Sequence, residues 1–366
     1  MTPLIGNQAR FDAVARAFDR GIVPQTLLLS GPLGVGKSTF VTRYAQLLLC
    51  PQIERDAQLP RGCGRCRVCH QIEIGTFPDF RLFRPIISAT EQTVAPETLD
   101  SSVFTVDQAR EFIEEGSRKP LVGPRKVMVV SQFDRANESA QNAMLKTLEE
   151  PSAGIHLVLT TENARSLRAT ILSRCWHLQF APAADGEIEE WLRGEFSDAS
   201  PSDLQSAVRA AHGRPGLAKR ELQRLQNAAE GEISRFERAS AILARIERAL
   251  PVGAFGLTET ALLCAKEWWE QDSEGADSKK LGAKGNRAAL ARFLDELMIA
   301  ERARLSQDLS RGAKSAFALE EMRKTRHYIL RNANANLALD VMFSRLIASE
   351  NAASRARREP KPSVSR

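Results

Sequence analysis

The stretch TLLLSGPLGVGKST, residues 26–39, decides the fold. Its first five residues (26–30) are an apolar run of strand length, and the pattern G-x-x-x-x-G-K-[ST] follows at once, from Gly31 to Ser38. Residues 38–50 then read as a helix, so the pattern sits between a strand and a helix, where a phosphate-binding loop belongs. Its glycines let the backbone curl so that successive N–H groups face phosphate oxygens. Lys37 supplies a point charge for the β- and γ-phosphates, and Ser38 a hydroxyl for Mg²⁺. Gly31, Gly34, Gly36, Lys37, Ser38 and Thr39 are therefore the candidate nucleotide-binding residues, with ATP and Mg²⁺ as the candidate ligand. The alternative is a loop that keeps this shape without holding a nucleotide.

Working outward, 127–130 (VMVV) and 157–160 (LVLT) are two further buried-strand candidates, separated by a helical pattern over 137–149. Strand–helix alternation predicts an α/β domain with a parallel sheet. From about residue 183 the strand signals stop. Helices are predicted over 186–194, 202–211, 217–228, 232–249, 256–270, 287–309, 314–331 and 335–349, with 271–286 as a polar loop.

The chain has 366 residues, 43% hydrophobic and 26% charged, with 22 Gly, 17 Pro and six Cys. That size predicts two or three domains, and the composition excludes collagen-like, wholly disordered and disulfide-stapled classes. No apolar run is long enough to span a bilayer and the N-terminus lacks a signal-peptide core, so a cytoplasmic protein with no membrane partner is expected. Of the net charge of +6, +4 falls in residues 351–366, read as a disordered basic tail.

A P-loop hydrolase needs carboxylates at the end of its second strand, to hold the Mg²⁺ water shell and to orient water. After KVMVV (126–130) those positions carry Ser131 and Gln132; Asp134 comes later, past Phe133, and is expected to point elsewhere. Loss of a catalytic base typically removes about 10²–10⁴ in rate. The pocket is expected not to turn over.

Cys50, Cys63, Cys66 and Cys69 are spaced C-x12-C-x2-C-x2-C. In a cytosolic chain that pattern predicts four thiolates around a structural Zn²⁺; an iron–sulfur cluster is the alternative. His70 is expected at the surface, and Cys175 and Cys264 as isolated core thiols.

These features occur in order with GTFPDF (75–80), NAMLKTLEEP (142–151), TILSRC (170–175) and NANANLALDVMFSRL (332–346). The ordered set resembles the AAA+ subunits of the bacterial DNA polymerase III clamp loader, over about 350 residues. The resemblance implies an AAA+ domain with zinc insertion at 50–70 (1–180), a helical lid (181–231) and a helical collar (232–350). The family's Asp-Glu pair falls on Ser131-Gln132, and the ATP-sensing Arg of motor subunits falls on Gly216 in HGRPGLA (212–218). Both departures make the delta-prime type the best match. In the family, the Arg of Ser173-Arg174-Cys175 reaches the γ-phosphate held by a neighbouring subunit, which makes Arg174 a candidate arginine finger in trans. Thr161 matches the sensor-1 position, and without hydrolysis its hydroxyl is expected in a local hydrogen bond.

The implied function is a scaffold of a DNA polymerase III complex, without ATPase or polymerase chemistry of its own. It assembles with gamma/tau and delta subunits and helps place the sliding clamp on primed DNA. Two alternatives remain: the motor ATPase subunit of the same machine, and an independent zinc-dependent nucleic-acid-binding protein using Arg61, Arg65 and Arg67.

Overall fold

A computed structural model describes residues 3–56, 58–86, 103–227, 235–249, 263, 283–307, 312–330 and 334–358. These fall into two units, one within residues 1–226 and one within 227–366.

The first unit is built on a parallel five-stranded sheet. Strands β1 (Thr26–Ser30), β5 (Lys126–Val130) and β6 (Ile155–Thr161) are buried along their whole length, as central strands covered on both faces must be. The flanking strands β4 (Phe80–Phe83) and β7 (Trp176–Gln179) complete the order β4-β5-β6-β1-β7. The two-residue period divides the core. Leu27, Leu29, Val127 and Val129 pack on one face with α1 (Gln8–Asp19) and α2 (Lys37–Leu49). Leu28, Met128, Val130, Leu157 and Leu159 pack on the other with α4 (Val106–Ser117) and α5 (Glu138–Glu149). Caps fix where those two helices start: a Thr105–Gln108 capping box for α4 and the Asn137 side chain for α5.

Between α2 and β4 lie an antiparallel hairpin, β2 (Ile53–Asp56) with β3 (Leu59–Gly62), and the short α3 (Arg67–Glu73). The one-turn α6 (Ala169–Leu172) precedes β7, and after β7 come α7 (Asp185–Glu195), α8 (Pro201–Ala211) and α9 (Pro215–Asn227). These three bury their own core of Ile188, Leu192, Leu204, Val208 and Leu222.

The second unit is helical: α10 (Arg235–Ala249), α11 (Ala283–Gln307), α12 (Gly312–Leu330) and α13 (Ala335–Arg358) around Leu243, Phe293, Leu294, Leu297, Met342 and Phe343. Buried acids are paired: Glu301 accepts from Ser315 Oγ at 2.6 Å, and Glu321 meets Arg345 at 3.0 Å. The expected class, an α/β domain on a parallel sheet carrying the phosphate loop and followed by helices, is the one observed. No helix among the described residues is long and apolar enough to cross a membrane.

The tail reading needs correction, because α13 continues to Arg358, through the first half of 351–366. Its Ala- and Arg-rich sequence has high helix propensity, which a charge count overlooks. Most of the expected 256–270 helix, the 271–286 loop and Cys264 lie outside the described residues. The spacing also missed α4, although Ala109, Phe112 and Gly116 stand at helical intervals, and β4, β7 and the β2–β3 hairpin, whose strands are only four residues each.

Candidate functional site

β1 ends at Ser30, the loop runs from Gly31 to Gly36, and Lys37 opens α2. All the candidate nucleotide residues are thus in one contiguous turn. Gly34 has φ +81°, and a Cβ there would lie 2.8 Å from Leu217 Cγ, so both conformation and space require glycine. Lys37 Nζ donates to the carbonyls of Gly31 and, at 3.0 Å, Pro32. Burial lowers its pKa, while the charges of Glu162 and Asp134 oppose that shift.

Those two carboxylates correct the reading of Asp134. The chain turns at Gln132 (φ +52°), whose N–H donates to Thr160 Oγ1 at 3.1 Å, into a 3-10 turn over Phe133–Arg135. The turn sends Asp134 back toward β6, where its Oδ1 accepts the Glu162 N–H at 3.3 Å, and the charges of both carboxylates act on Lys37. Thr161 Oγ1 accepts from Asn163 N–H at 3.1 Å, the local bond expected of it.

α9 begins directly over the loop. Gly216 N–H donates to Gly34 O at 2.8 Å, and a Cβ on Gly216 would sit 3.1 Å from that oxygen. Position 216 thus presents backbone, not a side chain, to the phosphate loop. Arg214 turns away, its Nε donating to Ala211 O at 2.8 Å. Buried Asn7, which the sequence did not flag, ties the site together: its amide nitrogen donates to Val35 O (3.4 Å) and Ala181 O (3.0 Å), and its oxygen accepts from Ala181 N–H (3.2 Å). Next to it a cleft of about 620 Å³ opens between residues 3–9 and Glu187, Glu190 and Trp191 of α7.

The four cysteines converge. Cys50 caps the C-terminus of α2, Cys63 and Cys66 follow the hairpin, and Cys69 lies in the first turn of α3. Their sulfurs all lie within 4.8 Å of one another; Cys50–Cys63 is 3.6 Å, Cys50–Cys66 3.7 Å and Cys63–Cys69 4.0 Å. A tetrahedron with Zn–S of about 2.3 Å has S···S edges of roughly 3.8 Å, so the donor set and its size both fit zinc. Backbone N–H groups of Gln52, Cys66 and Cys69 point at Sγ of Cys50, Cys63 and Cys66 at 3.3–3.4 Å, which favours thiolates. Such donors, that of Arg65 foremost, hold the Cys63 thiol at about 7, while burial pushes Cys50 and Cys69 up. His70 is exposed and outside the cluster. Arg61 and Arg65 pair with Asp56 and Glu54 on the hairpin, which weakens the reading of this knob as a nucleic-acid grip.

Arg174, just past α6, lies apart from the loop residues in sequence. Its Nη2 and Nε are 2.6 Å and 2.8 Å from Oε2 of Glu149, at the end of α5, and Nη1 donates to Thr170 O at 2.9 Å. The side chain is 29% exposed. The sequence reading did not anticipate this partner, although Glu149 stands in the quoted NAMLKTLEEP motif.

A family model described as DNA polymerase III, delta subunit, matches residues 6–184. That segment is similar to the family. Similar proteins include the DNA polymerase III subunit delta' of Haemophilus influenzae, 31% identical over 216 residues, covering 58% of this chain and 59% of that protein. The Escherichia coli K12 subunit delta' is 31% identical over 208 residues, 57% of each chain. The Salmonella typhimurium subunit tau is also 31% identical over 216 residues, but these are 57% of this chain and 30% of tau. The match therefore spans little more than half the length of the delta-prime relatives. Among solved structures, a gamma-subunit-related protein of Thermotoga maritima superposes with TM-score 0.46 at 14% identity, covering 92% of this chain and 98% of that one. At that level the likeness bears no functional weight. Within the segment that this model matches lie the phosphate loop, all four clustered cysteines and Arg174.

Proposed function

We propose that this chain is a delta-prime-type subunit of a DNA polymerase III clamp loader, a cytoplasmic scaffold that turns over no ATP and donates Arg174 to the nucleotide site of a neighbouring motor subunit. The observation that carries this reading is a phosphate loop stripped of its hydrolytic partners. Ser131 and Gln132 follow β5, and Gly216 brings bare backbone to the loop where a motor subunit needs an arginine. Arg174 meanwhile keeps guanidinium N–H donors on both Nη atoms beyond its contacts with Glu149 and Thr170. An arginine finger spreads developing charge on the transferred phosphoryl group and is worth about 10³–10⁵ in rate. Its partners would be gamma/tau and delta subunits, acting together on the sliding clamp and primed DNA.

Residues 1–180 would be the AAA+ domain, 181–231 the lid and 232–350 the collar that holds the subunits together. Cys50, Cys63, Cys66 and Cys69 would hold one structural Zn²⁺, which supplies folding free energy to a knob with little core of its own. Gly31 to Thr39 keep the shape to hold ATP·Mg²⁺ without hydrolysis.

Reconstitution tests this. With motor and delta subunits, Arg174→Ala should lower ATP hydrolysis at one adjacent site and slow clamp loading, with assembly retained. The isolated chain should hydrolyse ATP no faster than background.

One observation favours the motor-subunit reading instead: the charges of Asp134 and Glu162, joined by a hydrogen bond, both act on Lys37. If they replaced the missing acids, the isolated chain would show steady turnover that Lys37→Ala abolishes.

A further inference from the structure

The ion pair between Arg174 and Glu149 does more than stability requires. Glu149 is the last residue of α5, beside Glu150 at its C-cap. A carboxylate there faces the negative end of the helix dipole, which is unfavourable. An exposed ion pair returns little. Glu149 is 54% exposed, so the pair is neutral for folding at best.

Its geometry is specific all the same. Both contacts to Glu149 use the side-on edge of the guanidinium, a hydrogen bond from Nε and a 2.6 Å ion-pair contact from Nη2, and both fall on Oε2. Thr170 O, one turn back on α6, accepts a hydrogen bond from Nη1. Nη1 and Nη2, the end-on pair that can grip two oxygens of one phosphoryl group, both keep N–H donors beyond these contacts. A free arginine on a surface samples many rotamers; this one is held at the side and the base with its end-on edge open.

We infer that Glu149 is the positioning residue for Arg174: it fixes the guanidinium so that its end-on edge is presented to an anionic phosphoryl group of a neighbouring subunit. The inference rests on the trans-acting reading of Arg174. Glu149 touches no substrate and acts only through the arginine. Its carboxylate also lowers the net charge of the finger, so orientation, not added attraction, is its contribution. Orientation errors of about 1 Å can cost 10²-fold.

The test uses the reconstituted clamp loader with Glu149→Ala, Glu149→Gln and Arg174→Ala in this chain, reading single-turnover ATPase at the adjacent site, KM for ATP, and thermal melting of each variant. Glu149→Ala should lower the turnover rate about 10- to 100-fold, with KM and melting temperature unchanged. Glu149→Gln, whose amide oxygen still accepts from Nε, should recover part of that loss. Full activity in Glu149→Ala beside a loss in Arg174→Ala overturns the positioning role and leaves the finger standing. A faster Glu149→Ala overturns it too, because the carboxylate would then be restraining Arg174. Lowered melting and assembly with normal turnover would make the pair structural. Full activity in Arg174→Ala overturns the finger itself.

Discussion

Gly216 and Gly34 meet backbone to backbone, the N–H of one 2.8 Å from the carbonyl of the other. Two glycines from segments about 180 residues apart thus seat the first turn of α9 on the phosphate loop. Neither position tolerates a side chain without movement, since a Cβ on Gly34 would press on Leu217 and one on Gly216 on the Gly34 carbonyl.

Gly34→Ala should therefore cost about 1–3 kcal/mol, combining a left-handed backbone with overpacking against Leu217. It should also speed hydrogen exchange at the Gly216 amide. Gly21→Ala is the control: its φ is +75° but nothing lies near its Cβ, so it carries the conformational cost and leaves α9 undisturbed. Equal exchange at Gly216 in both variants would refute the contact.

Asp79, in GTFPDF, is fully buried and accepts three backbone N–H bonds, from Leu121 (2.7 Å), Val122 (2.8 Å) and Gly123 (3.2 Å). It shapes the turn that leads into β5. Asp79→Ala removes the buried acceptor shared by three backbone N–H groups, a loss of about 3 kcal/mol. Differential scanning calorimetry should show melting lowered by about 6–12 °C.

Metal removal should act locally. Purified protein should carry about one zinc per chain, and strong chelation or Cys69→Ser should expose the Cys63 and Cys66 thiols to alkylation and lower the melting temperature. Acid should release the metal, because protons compete for the thiolates. A metal-free chain of undiminished stability would remove zinc from the account.

His156 on β6 is buried, with Nδ1 3.1 Å from Pro24 O. Burial lowers its pKa below the usual 6.5. The unfolded chain then binds a proton in a range where the folded one does not, so this residue makes stability rise with pH across that range. Stability should drop as pH falls below about 6.5, and His156→Gln should flatten that slope in denaturant titrations at pH 5 to 7.

On α13, Leu337 is 63% exposed and Val341 is also exposed, whereas Leu339 and Met342 are buried in the helical unit. Leu337→Asp with Val341→Asp should leave melting unchanged and weaken entry into the clamp loader, measured by size-exclusion chromatography. Leu339→Asp should destabilise the unit itself by more than about 3 kcal/mol. If the exposed pair can be changed without effect on assembly, α13 is not part of the collar interface.

Much of this protein is written locally. β1, β5 and β6 are short runs buried on both sides, and such strands show themselves by composition alone. The phosphate loop and the cysteine cluster are contiguous or nearly so, so spacing specifies which atoms converge. The absence of acids at 131 and 132 and of arginine at 216 is equally plain from the order of residues. What spacing could not supply were contacts between distant segments: Glu149 with Arg174, Asp79 with residues 121–123, Asn7 with Ala181, and Gly216 with Gly34. Nor could it show that the turn at Gln132 brings Asp134 to the Glu162 N–H, since a single left-handed residue reverses the direction that a strand's periodicity predicts. Short-range order depends on φ/ψ preference and burial, which each residue type carries with it; the partner of a charge or a glycine depends on which segments the sheet brings together, and only the folded chain decides that.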